Sequence, residues 1–270
     1  MSATCKMLLL TALGCSLPTS GHPQDRVLHR SVPDHQMTVL DTLPPVPEGS
    51  LQECRTAPPR LAIGKAVAAA GWQVISENRL DGYGLVTFAA NSSPGPEGVC
   101  EFENGALAIF DGERPLGLYW SSSEVFGDLK ADREGVIDVY TSSFPVVPVA
   151  QLRHQQGGFV LQDLPATLPA CNGQVEVPQL WRAPVGKMRA SLIELGWVPQ
   201  NPAAEDPISA EMQMKGFPET ESCSGTGVNY CSYNYVRPEA KLRLITVGEL
   251  RGEDQPIVAD HELTCLETAK

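Results

Sequence analysis

Histidine is scarce in this chain, with five in 270 residues, and three of these, His22, His29 and His35, crowd towards the N-terminus. That leaves His154 and His261 as candidates for a general base in the body of the protein, and neither sits in a recognisable motif. Basic residues are also few, 20 against 32 acidic ones, for a formal charge of −12. Nucleic acid is recognised through a basic patch, so this class of partner is excluded. No apolar run approaches the roughly 20 residues that cross a bilayer, which predicts no transmembrane span and a soluble mature body. Three chemical signatures are missing: a C-x-x-C pair, a G-x-S-x-G elbow, and a lysine after a glycine-rich phosphate loop. We accordingly assign no catalytic residue, no cofactor and no metal site.

What is present begins with an address. Lys6 precedes a short apolar run from Met7 to Leu13, followed by Gly14, Cys15 and then Leu17, Pro18, Thr19, Ser20 and Gly21, the order of a secretory signal. Residues 1–21 are read as that signal. Two processing routes compete: cleavage near Gly21, or cleavage before Cys15 with lipid attached to that cysteine. Either leaves six cysteines, Cys54, Cys100, Cys171, Cys223, Cys231 and Cys265, an even number in a compartment that permits disulfides. Six cysteines allow fifteen pairings. Cys223 and Cys231 flank the tip Ser224-Gly225-Thr226-Gly227 and lead into an alternating strand, which suits a clasp across a hairpin mouth. Cys54 with Cys100 would then staple one half of the chain, and Cys171 with Cys265 the other. Zinc is the competing account of these thiols, and the shortage of histidine argues against it.

Two stretches follow one plan. Pro59 and Pro184 each open about one helical span, and the spans close at Gly71-Trp72 and Gly196-Trp197 with identical separation. Proline at a helix start loses no bond, because its missing N–H would be unpaired there, and glycine past the last turn accepts the left-handed conformation. An apolar residue after that glycine packs back on the last turn, so Trp72 and Trp197 read as core anchors rather than as ligand platforms. Ile63, Val67 and Ala70 share one helical face in the first copy; Val185, Met188, Leu192 and Leu195 do so in the second.

Along the chain, 22–50 is polar and proline-rich and reads as a flexible leader. After the first helix, Gly84 to Ala89 reads as a strand. Further short apolar runs, Ala106 to Phe110, Leu116 to Trp120, Val136 to Tyr140, Val149 to Leu152 and Phe159 to Leu161, read as antiparallel strands. Tyr230 to Val236, Lys241 to Val247, Ile257 to Ala259 and Leu263 to Cys265 continue the pattern. The expected class is α+β, with two tandem units of one amphipathic helix packed on a small antiparallel sheet and extra strands between them. Their expected bounds are 51–168 and 169–270.

The string from Phe217-Pro218-Glu219 through Cys223-Ser224-Gly225-Thr226-Gly227 to Cys231, with Gly196-Trp197-Val198-Pro199 before it, resembles a recurrent pattern in small exported bacterial proteins of unassigned activity. It covers the last third of the chain and implies export. The tandem layout is similar in outline to the secreted beta-lactamase inhibitor protein, which implies binding through a sheet face. An acidic exported chain attracts cationic partners, so the expected function is a non-catalytic protein-binding module for a basic protein, of the inhibitor or immunity kind. The contact candidates are Ser224, Thr226, Asn229 and Tyr230. The expected location is periplasmic or secreted, with an outer-membrane lipoprotein carried by Cys15 as the alternative. A structural envelope component and a hydrolase built on His154 or His261 are the rival functions.

Overall fold

The computed structural model describes residues 28–30, 35–95, 98–121, 124–155, 158–225 and 227–266. In chain order they form β1 (Leu28–Arg30), β2 (His35–Val39), α1 (Ala62–Ala69), β3 (Gln73–Leu80), β4 (Tyr83–Pro94), β5 (Cys100–Asp111) and β6 (Arg114–Ser121). Next come β7 (Phe126–Arg133), β8 (Val136–Thr141), β9 (Pro148–Gln155), β10 (Gly158–Gln162), β11 (Thr167–Ala170) and β12 (Val175–Pro178). The last part holds α2 (Val185–Glu194), β13 (Val198–Pro199), α3 (Pro207–Met214), β14 (Thr220–Cys223), β15 (Cys231–Arg237), β16 (Ala240–Val247) and β17 (Ile257–Cys265).

Apolar residues occupy consecutive positions in β4 and β5, and this follows from burial on both faces. Leu85 of β4 and Leu107 and Ile109 of β5 point to one side, where they meet Phe126, Leu129, Ile137, Val139, Leu152, Phe159 and Leu161. Val86, Phe88 and Ala90 of β4, with Ala106, Ala108 and Phe110 of β5, point to the other and meet Ile63, Val67 and Trp72. The sheet ordered β2-β6-β5-β4-β3 is therefore the middle layer, between α1 and a second sheet ordered β1-β10-β9-β8-β7. Polar groups join the two sheets across their shared core: Thr87 Oγ1 donates to the Gly127 carbonyl at 2.7 Å and Tyr119 Oη to the Phe159 carbonyl at 3.1 Å. Buried hydroxyls of this kind stay inside only when they are bonded.

A separate core occupies the C-terminal part. Val185, Met188 and Leu192 of α2 and Met212 of α3 pack on Cys231, Tyr233 and Tyr235 of β15, Leu242 and Leu244 of β16, and Val258 of β17. The sheet runs β13-β15-β16-β17, with β14 also pairing with β15, and β11 and β12 form a two-stranded ribbon beside it.

The expected α+β class is overturned. Half of the described residues are strand and 12% helix, spread over three helices and several antiparallel sheets, so the protein is mostly β. The two helices do not organise the fold: three of the strands expected between the units, β8, β9 and β10, join β1 from the expected leader and β7, which was not anticipated, in a five-stranded sheet, and the other two lie in β5 and β6 of the middle sheet. A continuous apolar run in a short strand shows burial on both faces but not which elements cover them, so the order of the layers was not legible. The described part of the expected flexible leader is also built into the fold. β1 pairs in parallel with β10, β2 pairs with β6, and Leu40, Leu43 and Val46 pack against the core beneath α1. Its prolines cannot donate to a ladder, yet their carbonyls accept, and Trp72 Nε1 donates to the Pro44 carbonyl at 2.9 Å.

The C-terminal helix ends match the sequence reading, whereas the starts differ: α1 begins at Ala62 with Leu61 as its N-cap, beyond Pro59, and Pro184 is the N-cap of α2. Gly71 and Gly196 have φ of +93° and +82°, and the N–H groups of Trp72 and Trp197 return to the carbonyls of Val67 and Leu192. Both indoles are buried, and Trp197 Nε1 donates to the Glu176 carbonyl as Trp72 does to Pro44. A third helix repeats the device: Gly216 takes φ +99° and the Phe217 N–H bonds the Met212 carbonyl.

Candidate functional site

Six cysteines form three bonds: Cys54–Cys100, Cys171–Cys265 and Cys223–Cys231. The last lies between directly opposed residues of β14 and β15, with Cα atoms 4.1 Å apart, so it closes the mouth of the hairpin. Above it the chain is held by its backbone. Ser224 N–H donates to the Tyr230 carbonyl at 2.6 Å, and Gly248 N–H donates to the Val228 carbonyl at 2.8 Å, tying the tip to the turn after β16. Asn229 takes the left-handed conformation, with φ +57°. Below, Asp206 caps α3 by accepting from the N–H groups of Ile208 and Ser209 and reaches the Cys223 N–H with its other oxygen at 2.6 Å. Burial opposes ionisation of this carboxyl, but the hydrogen bonds from Cys223, Ser209 and Ile208 prevail and hold it below the ordinary carboxylate range. Of the four contact candidates, Tyr230 is exposed and Ser224 and Asn229 are half-buried, while Thr226 lies outside the described residues.

A cleft of about 750 Å³ opens on the α1 side of the middle sheet, over the part of that face the helix does not cover. Trp72 and Phe88, in edge contact at 4.8 Å, lie at its base with Ala106 and Leu118. Phe102 and Trp120 are half-buried in its walls, and Glu103 and Glu124 bring carboxylates to it. Glu124 is paired with the guanidinium of Arg182. Trp72 thus anchors the core and also underlies a cleft. Trp120 was read only as the end of a strand, although its period-two relation to Leu118 places both on one face.

Among the described residues, His154 and His261 lie in different parts of the fold. His154 Nδ1 lies 3.0 Å from Asp81 Oδ2, with the ring stacked on Phe159 and edge-on to Tyr83. Its Nε2 is buried without a hydrogen-bond partner among the described residues. His261 lies on β17 of the C-terminal sheet beside Trp181, and burial lowers its pKa while neighbouring Asp260 opposes this. The two histidines are not brought together, and Cys223 is a bonded sulfur rather than a nucleophile. Among the described residues no group of three or more His, Cys, Asp or Glu is placed to hold a metal ion.

One buried ionic cluster went unread in the sequence. Glu219 is fully buried; its Oε1 accepts from Tyr235 Oη at 2.7 Å and lies 3.0 Å from Arg189 Nε of α2. Burial raises the pKa of Tyr235 and pushes Tyr233 up to about 12, with Glu219 adding to both. Its place in the core, between α2 and β15, marks the cluster as a clamp for the helix rather than as a solvent-facing site. Phe217-Pro218-Glu219 gave no sign of this, because an acidic residue after a helix end ordinarily faces water.

No family model matches the chain, and no curated protein or solved structure is significantly similar to it. Three disulfides fit an exported protein, and no helix among the described residues is long and apolar enough to cross a membrane. Cys15, the candidate lipid site, lies outside the described residues.

Proposed function

We propose that this chain is an exported, non-catalytic binding module for a basic protein, of the inhibitor or immunity kind, acting in the periplasm or outside the cell. The observation that carries this reading is the pre-organised tip: a disulfide, two backbone bonds and a capped helix fix the segment that presents Tyr230. A contact loop already held in one conformation loses little entropy on binding, and an exposed tyrosine on such a loop is a common anchor. The charge of −12 supplies steering towards a cationic partner. The resemblance of the last third to small exported bacterial proteins supports the compartment.

The test is affinity capture from envelope extract at two ionic strengths, followed by light scattering on the isolated complex. The reading expects a basic protein at fixed stoichiometry, retained less at high salt, and lost when Tyr230→Ala is used as bait. Capture that is indifferent to both salt and Tyr230 overturns it, as does recovery of the chain in the outer membrane, acylated at Cys15 and without a stoichiometric partner.

A further inference from the structure

We infer that the cleft beside α1 is a receptor for an arginine or lysine side chain carried on a basic protein. This rests on the binding reading above and names the chemistry one part of the surface would recognise. The cleft lies within the size range of ligand sites, roughly 300–1,000 Å³. Its described lining pairs aromatic surface with carboxylates and contains no lysine, arginine or histidine. Trp120 and Phe102 are half-buried and Glu103 is exposed, so ring faces and a negative charge are offered together.

A long cationic side chain is divided in the same way. Its methylene stem covers apolar surface while its head seeks charge or the face of an aromatic ring, and tryptophan is the strongest such partner. The molecule already shows this chemistry at the cleft, where Glu124 binds the guanidinium of its own Arg182. An anionic ligand would meet repulsion from exposed Glu103, the charge of Glu124 being already balanced by Arg182, and a neutral apolar one would leave the Glu103 carboxylate desolvated. A cation carried on a protein loop matches both the rings and the charge, and the −12 balance of the chain favours its approach.

The test is titration of the full chain, followed by tryptophan fluorescence, with a blocked peptide containing two arginines, the same peptide with citrulline in their place, and tetramethylammonium chloride. We expect saturable binding of the arginine peptide that weakens with added salt, and a loss of about tenfold in both Trp120→Ala and Glu103→Gln. Glu103 is at the surface, so E103Q reads the site even where W120A is poorly folded. Equal binding of the citrulline peptide, or an unchanged affinity in E103Q, overturns the proposal. Tetramethylammonium bound as tightly as the arginine peptide overturns the assignment to a protein side chain. A partner whose capture needs Tyr230 but tolerates both cleft variants would sink the cleft and leave the proposed function standing; arginine peptide bound without any captured partner would do the reverse.

Discussion

Removing the Cys171–Cys265 bond should be the most damaging loss among the three disulfides. Its residues are 94 apart in sequence, against 46 for Cys54–Cys100 and 8 for Cys223–Cys231. The chain entropy withheld from the unfolded state gives about 4.6, 4.0 and 2.5 kcal/mol respectively. The small loop is nested inside the large one, but its shortcut changes the large value by only about 0.1 kcal/mol, because the dependence on length is logarithmic. Loops 54–100 and 171–265 do not overlap, so their effects should add. Together the three amount to about 11 kcal/mol, comparable to the whole stability of a native domain, so the fully reduced protein should be largely unfolded. Urea unfolding followed by circular dichroism at pH 7 measures this on the alanine pairs C171A/C265A, C54A/C100A and C223A/C231A. With a slope of about 3 kcal/mol per molar, the first pair should lower the midpoint by about 1.5 M, and the slope itself should rise as the unfolded chain expands. A cost for C223A/C231A equal to or above that for C171A/C265A would refute the reasoning.

Glu219→Ala should cost about 1–3 kcal/mol, since it strands Tyr235 Oη in the core while Arg189, about a third exposed, can turn to solvent; Glu219→Gln, which keeps an acceptor, should cost less, and both are read by the same urea assay. His261 has a lowered pKa in the folded state, so the unfolded state binds its proton first as pH falls through 6.5. Its contribution is thus complete above pH 6.5 and is lost below it, and His261→Phe should flatten the fall in urea midpoint between pH 7.5 and 5.5. Gly127→Ala should destabilise by about 1–3 kcal/mol in thermal melts, because a Cβ there would sit 2.6 Å from the Thr141 carbonyl oxygen and 2.9 Å from Ser142 Cα, both backbone atoms.

The parts legible in the sequence were those fixed by local chemistry. Gly71-Trp72 and Gly196-Trp197 announce helix ends because only glycine takes that backbone turn cheaply and the next apolar side chain must fold under the helix. The Cys223–Cys231 clasp followed from a short glycine-bearing loop ahead of an alternating strand. Long-range arrangement was not legible. Nothing in Val136–Tyr140 or Phe159–Leu161 says that these strands form a sheet of their own facing Leu85, Leu107 and Ile109. α3 was missed although Asp206-Pro207 and Gly216-Phe217 bracket it, because Ile208, Ala210, Met212 and Met214 recur at every second position rather than at helical spacing. At the candidate sites, Tyr230 was named from its place on the tip. Trp120, Glu103 and Glu219 emerge only once β5, β6, β14 and β15 are laid side by side, since each owes its role to residues far away in sequence.

Calorimetric titration of this chain with its captured partner at 50 and 300 mM salt tests the central claim most directly. The account predicts a single defined stoichiometry with a basic protein, an affinity that drops at least about tenfold at the higher salt, and a further loss in Tyr230→Ala. An interaction of unchanged strength at both salts, or one with an acidic partner, would contradict it.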